Sequence, residues 1–346
     1  NHLTSLDGDW GYVSQSLTNG FFGENSIVEI PRVMSQFVSL GQLNLDGNDI
    51  EDLPLTSLPP NLRTLSLNNN MLSKFPMSIS ELSSLTWLYL RGNSIKILEI
   101  PELKNNQGLE LLDLSDNLIE SVRFLTSTNA TVHIKDLNIS SNKLSIIPAG
   151  AFKYLETKRM HLSSNNISFI DDDAFIGLEN NLEYLNIENN GLINVPSALI
   201  KLKRISYLYL SNNEIRNISA NAFKSFGNNL RALSLSNNNL ASLPINALNN
   251  CHRLLHLNLG YNKIGHIFPG DFEWAKSLKT LLLRNNIISK LKSGTFKGAD
   301  TLKELSLSFN HLSELDNHAF MGIEDTLEIL EMSFAFSTDV LPKIAI

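Results

Sequence analysis

Apolar and polar positions along this chain follow one short pattern that returns from end to end. A representative copy, ISYLYLSNNEI at 205–215, places Ile205, Leu208, Leu210 and Asn213 at the fixed sites of L-x-x-L-x-L-x-x-N-x-L. Around the second and third Leu sites, apolar and polar residues alternate with a period of two, as in a short β-strand with one buried face. The pattern therefore predicts one short strand in each copy.

The asparagine of the pattern recurs every 22 to 25 residues over most of the chain. Repetition at this period indicates a solenoid, because one copy cannot bury its apolar face alone, whereas stacked copies form a continuous core. An Asn that follows a strand can bond to backbone groups of the turn that would otherwise be buried unpaired. The sequence thus predicts a ladder of structural asparagines, which comprises Asn48, Asn70, Asn93, Asn117, Asn142, Asn165, Asn190, Asn213, Asn238, Asn262, Asn286 and Asn310.

The segments between these asparagines are of two kinds. Some copies carry a proline six residues after the Asn, as at Pro196, and others carry a phenylalanine ten residues after it. We expect the phenylalanines to stack beneath the side of the solenoid opposite the strands. The residues at this site are Phe152, Phe175, Phe223, Phe272, Phe296 and Phe320, with Leu248 in the same place.

These motifs resemble the leucine-rich repeat family, in the form of about 24 residues that is typical of extracellular proteins, over essentially the whole chain. The alternation of Pro and Phe copies and the inserted Asn-Asn-Leu segments, as at 180–182, are most similar to chaoptin-like insect cell-surface adhesion proteins. They are more loosely similar to Toll-type receptor ectodomains.

The resemblance implies an α/β fold, a right-handed leucine-rich repeat solenoid or horseshoe. We expect about 13–15 short strands in a concave parallel sheet, and irregular turns with short 3-10 or helical pieces on the convex side. Residues 1–346 should form a single domain of about 14 repeats. We expect this domain to be truncated at both ends and to lack the Cys-rich caps that family members usually carry.

Charge and cysteine content bear on two further properties, the kind of partner and the presence of disulfides. The formal net charge is −7, which argues against nucleic acid as a partner. The chain has one cysteine, Cys251, so it forms no internal disulfide, and we expect this residue to be a half-buried packing residue. The acidic run 171–173 is expected to be a solvated turn.

We find no pattern in the sequence that predicts catalysis. Catalytic groups converge in a pocket, whereas a ladder of strands offers a broad open surface. His252 and His256 have the spacing of a helical metal pair, but the strand pattern predicts that they point apart. We therefore expect no enzymatic activity, cofactor or metal.

The outward positions beside the paired Leu sites are small or polar in most copies, but a few carry large side chains. Aromatic and Arg side chains of this kind dominate the energetics of protein interfaces. The alternative is that β-propensity alone places them on strands. The candidate partner-binding residues are Trp87, Tyr89, Arg91, Arg159, His161, Tyr184, Tyr207 and Tyr209.

Four N-x-S/T sequons, at Asn129, Asn138, Asn166 and Asn217, are candidate glycosylation sites. Asn138 is expected on the concave face, where a glycan would obstruct part of that face. Together with the repeat type, the sequons predict a location at the cell surface or a secreted protein. We expect membrane attachment only through an anchor outside these residues.

The favoured function is protein–protein recognition in cell adhesion, with a protein partner that could be a second copy of the chain. One alternative is the ligand-binding ectodomain of a Toll-type signalling receptor. A second alternative is an intracellular leucine-rich repeat scaffold, which the Pro-type copies within 48–93 resemble.

Overall fold

A computed structural model describes residues 2–101, 108–125 and 130–337, except for the side chains of residues 101 and 123–125. The chain divides into two compact units. The N-terminal unit consists of Asn1–Asn166 and Asp173–Leu182, and the C-terminal unit consists of Ile167–Asp172 and Glu183–Ile346. The same repeat builds both units.

The N-terminal unit contains a parallel sheet with one strand per repeat. Its strands are Asn19–Phe21, Gln42–Asn44, Thr64–Ser66, Trp87–Tyr89, Leu109–Asp113, Val132–Asn138 and Arg159–His161. The pairing is in register, with Leu43 opposite Leu65 and Leu65 opposite Leu88. The central Leu residues of neighbouring strands therefore lie side by side, with Gly20 at this position in the first strand and Met160 in the last.

Short segments on the other side of the N-terminal unit return the chain to its next strand. The helical pieces are the α-helix Val13–Ser16 and the 3-10 helices Arg32–Gln36 and Met77–Glu81. The further strands are Ile97–Pro101, Ser121–Leu125, Ile146–Ile147 and Leu155–Glu156.

The C-terminal unit repeats this arrangement. The strands of its parallel sheet are Tyr184–Asn186, Tyr207–Tyr209, Ala232–Ser234, His256–Asn258, Thr280–Leu282, Glu304–Ser306 and Ile329–Glu331. Its return segments contain the 3-10 helices Ser197–Lys201 and Gly227–Asn229, the α-helix Ile245–Leu248, and the short strands Phe169–Ile170, Lys290–Leu291 and Glu314–Leu315. The predicted parallel solenoid with few helices is thus confirmed.

The ladder asparagines connect successive coils through their side-chain amides. Asn238 Nδ2 donates to the carbonyls of Leu210, Leu235 and Ser236 at 3.0, 3.1 and 3.2 Å, and its Oδ1 accepts from the backbone N–H of Ile215 at 2.9 Å. The carbonyl of Leu210 also accepts from Asn213 of its own coil. Ladder asparagines of neighbouring coils therefore share carbonyls. Eleven of the twelve predicted ladder asparagines are buried, and Asn190 is half-buried.

The residue before each ladder asparagine adopts a left-handed backbone, with φ between 51° and 68°. Gly, Asn, Asp and Ser occupy this position in most coils, because they tolerate positive φ more readily than large side chains do. Tyr261 and Phe309 occupy it in two coils of the C-terminal unit, with φ of 54° and 56°.

Aromatic rings fill the space beneath the return segments of each unit. Phe152 and Phe175 stack at 6.1 Å between ring centroids in the N-terminal unit, and Phe272 and Phe296 stack at 5.6 Å in the C-terminal unit. Cys251 is fully buried there, not half-buried as expected, and burial raises the pKa of its thiol to about 12. The thiol therefore stays protonated and acts as a packing group.

Replacing Asn238 with alanine should destabilise the solenoid. The variant leaves the buried N–H of Ile215 without its acceptor and removes three donated hydrogen bonds, so the free energy of unfolding should fall by about 2–4 kcal/mol. Guanidinium denaturation followed by circular dichroism measures the change. Asn239→Ala, one residue along, is the matched control and should change stability by less than about 0.5 kcal/mol. Equal effects of the two variants would contradict the ladder's role.

Candidate protein-binding face

The side chains on either side of each central Leu point away from the core and form what we call the sheet face. Small or polar residues occupy it in most coils, for example Thr64 and Ser66 in the N-terminal unit and Ala232 and Ser234 in the C-terminal unit. Against this background, each unit carries a group of larger side chains.

In the N-terminal unit, Trp87, Tyr89 and Arg91 lie along one coil. Trp87 is 40% exposed and borders a depression of about 480 Å³ together with Arg63 and Thr64. Arg91 Nε donates to Asp116 Oδ2 at 2.7 Å, so its guanidinium is held at the end of the strand. This coil presents an apolar ring beside a fixed cation.

Two other predicted contact residues, Arg159 and His161, are held by a carboxylate of the preceding coil. Arg159 Nε donates to Asp136 Oδ2 at 2.8 Å, and His161 Nε2 lies 3.2 Å from Asp136 Oδ1. Burial acts to raise the pKa of the Asp136 carboxyl, but the contacts with His161 and Arg159 outweigh it and hold the pKa below its ordinary value. Asp136 therefore stays charged at neutral pH and fixes both side chains.

Asp136 is not among the contact residues predicted from the sequence. The signal was available, because Asp136 lies opposite Arg159 in the strand register, one repeat earlier. Because the strands pair in register, opposite charges at equivalent positions of neighbouring coils face each other across adjacent strands. Arg159 and His161 are thus already paired within the fold.

In the C-terminal unit, Tyr184, Tyr207 and Tyr209 form a cluster. The ring of Tyr184 lies 5.3 Å from that of Tyr209 and 6.3 Å from that of Tyr207, centroid to centroid. Tyr207 is 40% exposed, and the coil that follows contributes only Ala232 and Ser234 at this face. The three rings therefore stand above small neighbours.

Burial is the main cause that raises the pKa of Tyr209, with Glu188 and Tyr207 adding to it. The phenol consequently remains neutral at physiological pH and can both donate and accept a hydrogen bond. A cluster of this type combines apolar ring area with polar groups at its rim.

The predicted glycosylation sites differ in their surroundings. Asn129 lies outside the described residues. Asn166 and Asn217 are exposed, whereas Asn138 is half-buried on its strand, where its Oδ1 accepts from the backbone N–H and the hydroxyl of Ser140 at 3.0 and 2.7 Å.

Within residues 2–101, 108–125 and 130–337, no group of three or more His, Cys, Asp or Glu side chains could hold a metal ion. In the same ranges, no helix has both the length and the apolar character needed to cross a membrane.

The solenoid fold and the sheet face together define a protein-interaction domain. A leucine-rich repeat family profile matches residues 132–192, 228–286 and 276–333, and a second one matches residues 61–82. Together the matches span more than half of the chain, which therefore belongs to the leucine-rich repeat family. It is a non-enzymatic protein-interaction module of that family.

Individual relatives match over parts of the chain. Mouse oligodendrocyte-myelin glycoprotein is 36% identical over 107 residues, which are 31% of this chain and 23% of that protein. Mouse Toll-like receptor 9 is 37% identical over 115 residues, which are 32% of this chain and 11% of the receptor. The chain thus matches less than a quarter of either relative's length.

Among solved structures, a leucine-rich repeat protein of Leptospira interrogans superimposes with a TM-score of 0.74 at 25% identity. The superposition covers 95% of this chain and 81% of the other.

Replacing Asp136 with asparagine should lower stability in a pH-dependent way. Because the folded-state pKa of Asp136 lies below the ordinary value of 3.8, its stabilising effect is complete above that pH and is lost as the pH falls through the folded-state pKa. Asp136→Asn should therefore cost on the order of 1 kcal/mol at pH 7 and progressively less below pH 3.8. Urea denaturation at several pH values measures this difference.

Asp116→Asn is the matched control, since the Asp116–Arg91 pair is exposed and should contribute little. A difference between wild type and Asp136→Asn that stays constant down to pH 3 would contradict the pairing.

Proposed function

We propose that this chain is the recognition region of an extracellular protein that serves cell adhesion, and that its sheet face contacts the partner protein. The observation that carries the proposal is the cluster of Tyr184, Tyr207 and Tyr209, which stands above small residues on a rigid ladder of strands. Adhesion of the chaoptin type remains a prediction from sequence resemblance.

Binding costs free energy because side chains at the interface become ordered. A tyrosine offers a large contact area with only two side-chain torsions, so little conformational entropy is lost when it binds. The rings of the cluster already touch one another, which restricts them further. The residues whose replacement by alanine weakens an interface by about 2 kcal/mol or more are enriched in tyrosine and lie near the centre of the interface.

Two further features support the extracellular location. Asn166 and Asn217 are exposed sequon residues, and one matched relative is named as a glycoprotein. We propose that both asparagines carry glycans and that Asn138 does not, because its side chain is engaged by Ser140 on the strand.

Adhesion by such a face would depend on many copies of the protein binding at once. Contacts that are weak individually give strong attachment when many copies on opposed surfaces engage together. We propose a single repeat domain with a protein partner, and a second copy of the chain as the first partner to test.

The second candidate is the ligand-binding ectodomain of a signalling receptor. The 37% identity to mouse Toll-like receptor 9 over 115 residues favours it. In our proposal both candidates use the sheet face, and a cytoplasmic signalling domain in the full reading frame would decide for the receptor.

Replacing Tyr207 and Tyr209 together with alanine should abolish recognition without unfolding the chain. Beads coated with the wild-type protein should aggregate if the partner is a second copy, and beads coated with the double variant should remain dispersed. Because Tyr207 is 40% exposed and Tyr209 is half-buried, the melting temperature should change by only a few degrees.

Ser234→Ala, on the neighbouring coil, is the control and should aggregate like wild type. If wild-type beads remain dispersed, the homophilic proposal is wrong. The same variants then test binding to cells that capture the wild-type protein, where equal binding by the double variant would exclude the tyrosine cluster.

Removing the exposed sequons should change the mass of secreted protein. Protein from a eukaryotic host should lose mass on treatment with N-glycosidase, and Asn166→Gln and Asn217→Gln should each remove one glycan in intact mass spectrometry. Asn138→Gln is the internal control and should remove none. An unshifted mass for the wild type would argue for the intracellular scaffold.

A further inference from the structure

A second surface lies at the edge of the C-terminal unit where each strand turns toward its ladder asparagine. The residues before and after successive ladder asparagines form two parallel rows with a groove of about 830 Å³ between them. The floor consists of ladder asparagines such as Asn262, Asn286 and Asn310, and Tyr261 and Phe309 stand in one wall. We call this surface the turn-edge groove.

The two aromatic residues occupy a backbone position that disfavours them. Tyr261 and Phe309 have φ of 54° and 56°, where a large side chain is a genuine outlier, and Asn285 occupies the same site between them with φ of 52°. Phe334, in the coil after Phe309, also lines the groove and has φ of 52°. Strain of this kind persists only where the surrounding structure enforces it, and it clusters at functional sites, so a large side chain in this conformation is a reason to look for a binding role.

Both rings face solvent. Tyr261 is 46% exposed and Phe309 is 43% exposed, although Phe309 also stacks on Phe334 of the next coil at 5.2 Å. Arg284 lies over the ring of Tyr261 at 5.1 Å and donates through Nη2 to its hydroxyl at 2.8 Å. The strained aromatics are therefore held in place without being used to fill the core.

The charge of the groove indicates what it fits. Lys263 lines it and Arg284 borders it, while no Asp or Glu is among its lining residues, all of which are described. In the N-terminal unit, by contrast, acidic residues directly precede two of the asparagines of the repeat, at Glu24 and Asp116. A groove of cations and aromatic rings within a chain of net charge −7 favours an anionic, partly apolar occupant.

The dimensions of the groove set the length of the occupant. The groove extends across five coils, from Asn237 to Phe334. With neighbouring strands about 4.8 Å apart, this is a span of roughly 19 Å, which equals about six residues of extended peptide.

We propose that the turn-edge groove binds an extended acidic peptide segment of a partner protein, with apolar side chains of the peptide against Tyr261 and Phe309. The anionic side chains would face Lys263 and Arg284. This proposal uses a surface separate from the tyrosine cluster and does not depend on it.

The test is a selection from a random twelve-residue peptide library displayed on phage. The library is first depleted on the double variant Tyr261→Asn/Phe309→Asn and then selected on the wild type. Enriched peptides should carry net negative charge and at least one aromatic or large aliphatic residue. In fluorescence anisotropy, their affinity should fall at least tenfold on the double variant and should weaken as salt is added.

Two controls separate binding from stability and from the sheet face. Phe268→Asn removes an aromatic ring that is 60% exposed outside the groove, and it should leave peptide affinity unchanged, as should Tyr207→Ala/Tyr209→Ala. The Tyr261→Asn/Phe309→Asn variant should melt no lower than the wild type, because Asn tolerates positive φ.

Several results would overturn the proposal. They are the absence of enrichment, the enrichment of neutral or basic peptides, and equal affinity for the double variant. A lower melting temperature of the double variant would assign the aromatics to folding. Dimers in sedimentation velocity that the double variant abolishes would assign the groove to a second copy of the chain.

Discussion

The hydrogen bonding of the ladder asparagines is the constraint on which both units depend. Each coil must reverse direction directly after its strand, and the turn leaves backbone groups buried away from water. A side-chain amide satisfies donors and acceptors of two coils at once, as Asn238 does with Ile215 and Leu210. No ring of hydrophobic contacts could replace it, because unpaired backbone groups are costly however well the surrounding residues pack.

This constraint also determines which positions are free to vary. The central Leu and the ladder Asn are committed to the core and the turn, so variation is left to the outward strand positions and to the turn edge. The tyrosine cluster uses the first kind of position, and Tyr261 and Phe309 use the second. Neighbouring coils hydrogen bond to one another at both places, so either surface is presented by a rigid scaffold.

Electrostatics adds a second level of organisation in the N-terminal unit. Asp136 lies one coil before Arg159 and His161 and holds both, so their positions are set before any partner arrives. A partner that approaches this region meets an ordered ion pair with a half-buried carboxylate. The coil of Trp87 and Arg91 offers a more open surface in the same unit, because Trp87 remains exposed beside its depression.

The sequence alone determined the solenoid, its register and the class of molecule, because each coil repeats the same local rules and stacking is the only way to bury the Leu sites. It also located the tyrosine cluster, since strand alternation decides which side chains point outward. The strand register already places Asp136 opposite Arg159, but only the tertiary structure decided that His161 shares this carboxylate and that Tyr261 and Phe309 line a groove. These features depend on distances between coils and on backbone torsions, which a one-dimensional repeat does not specify.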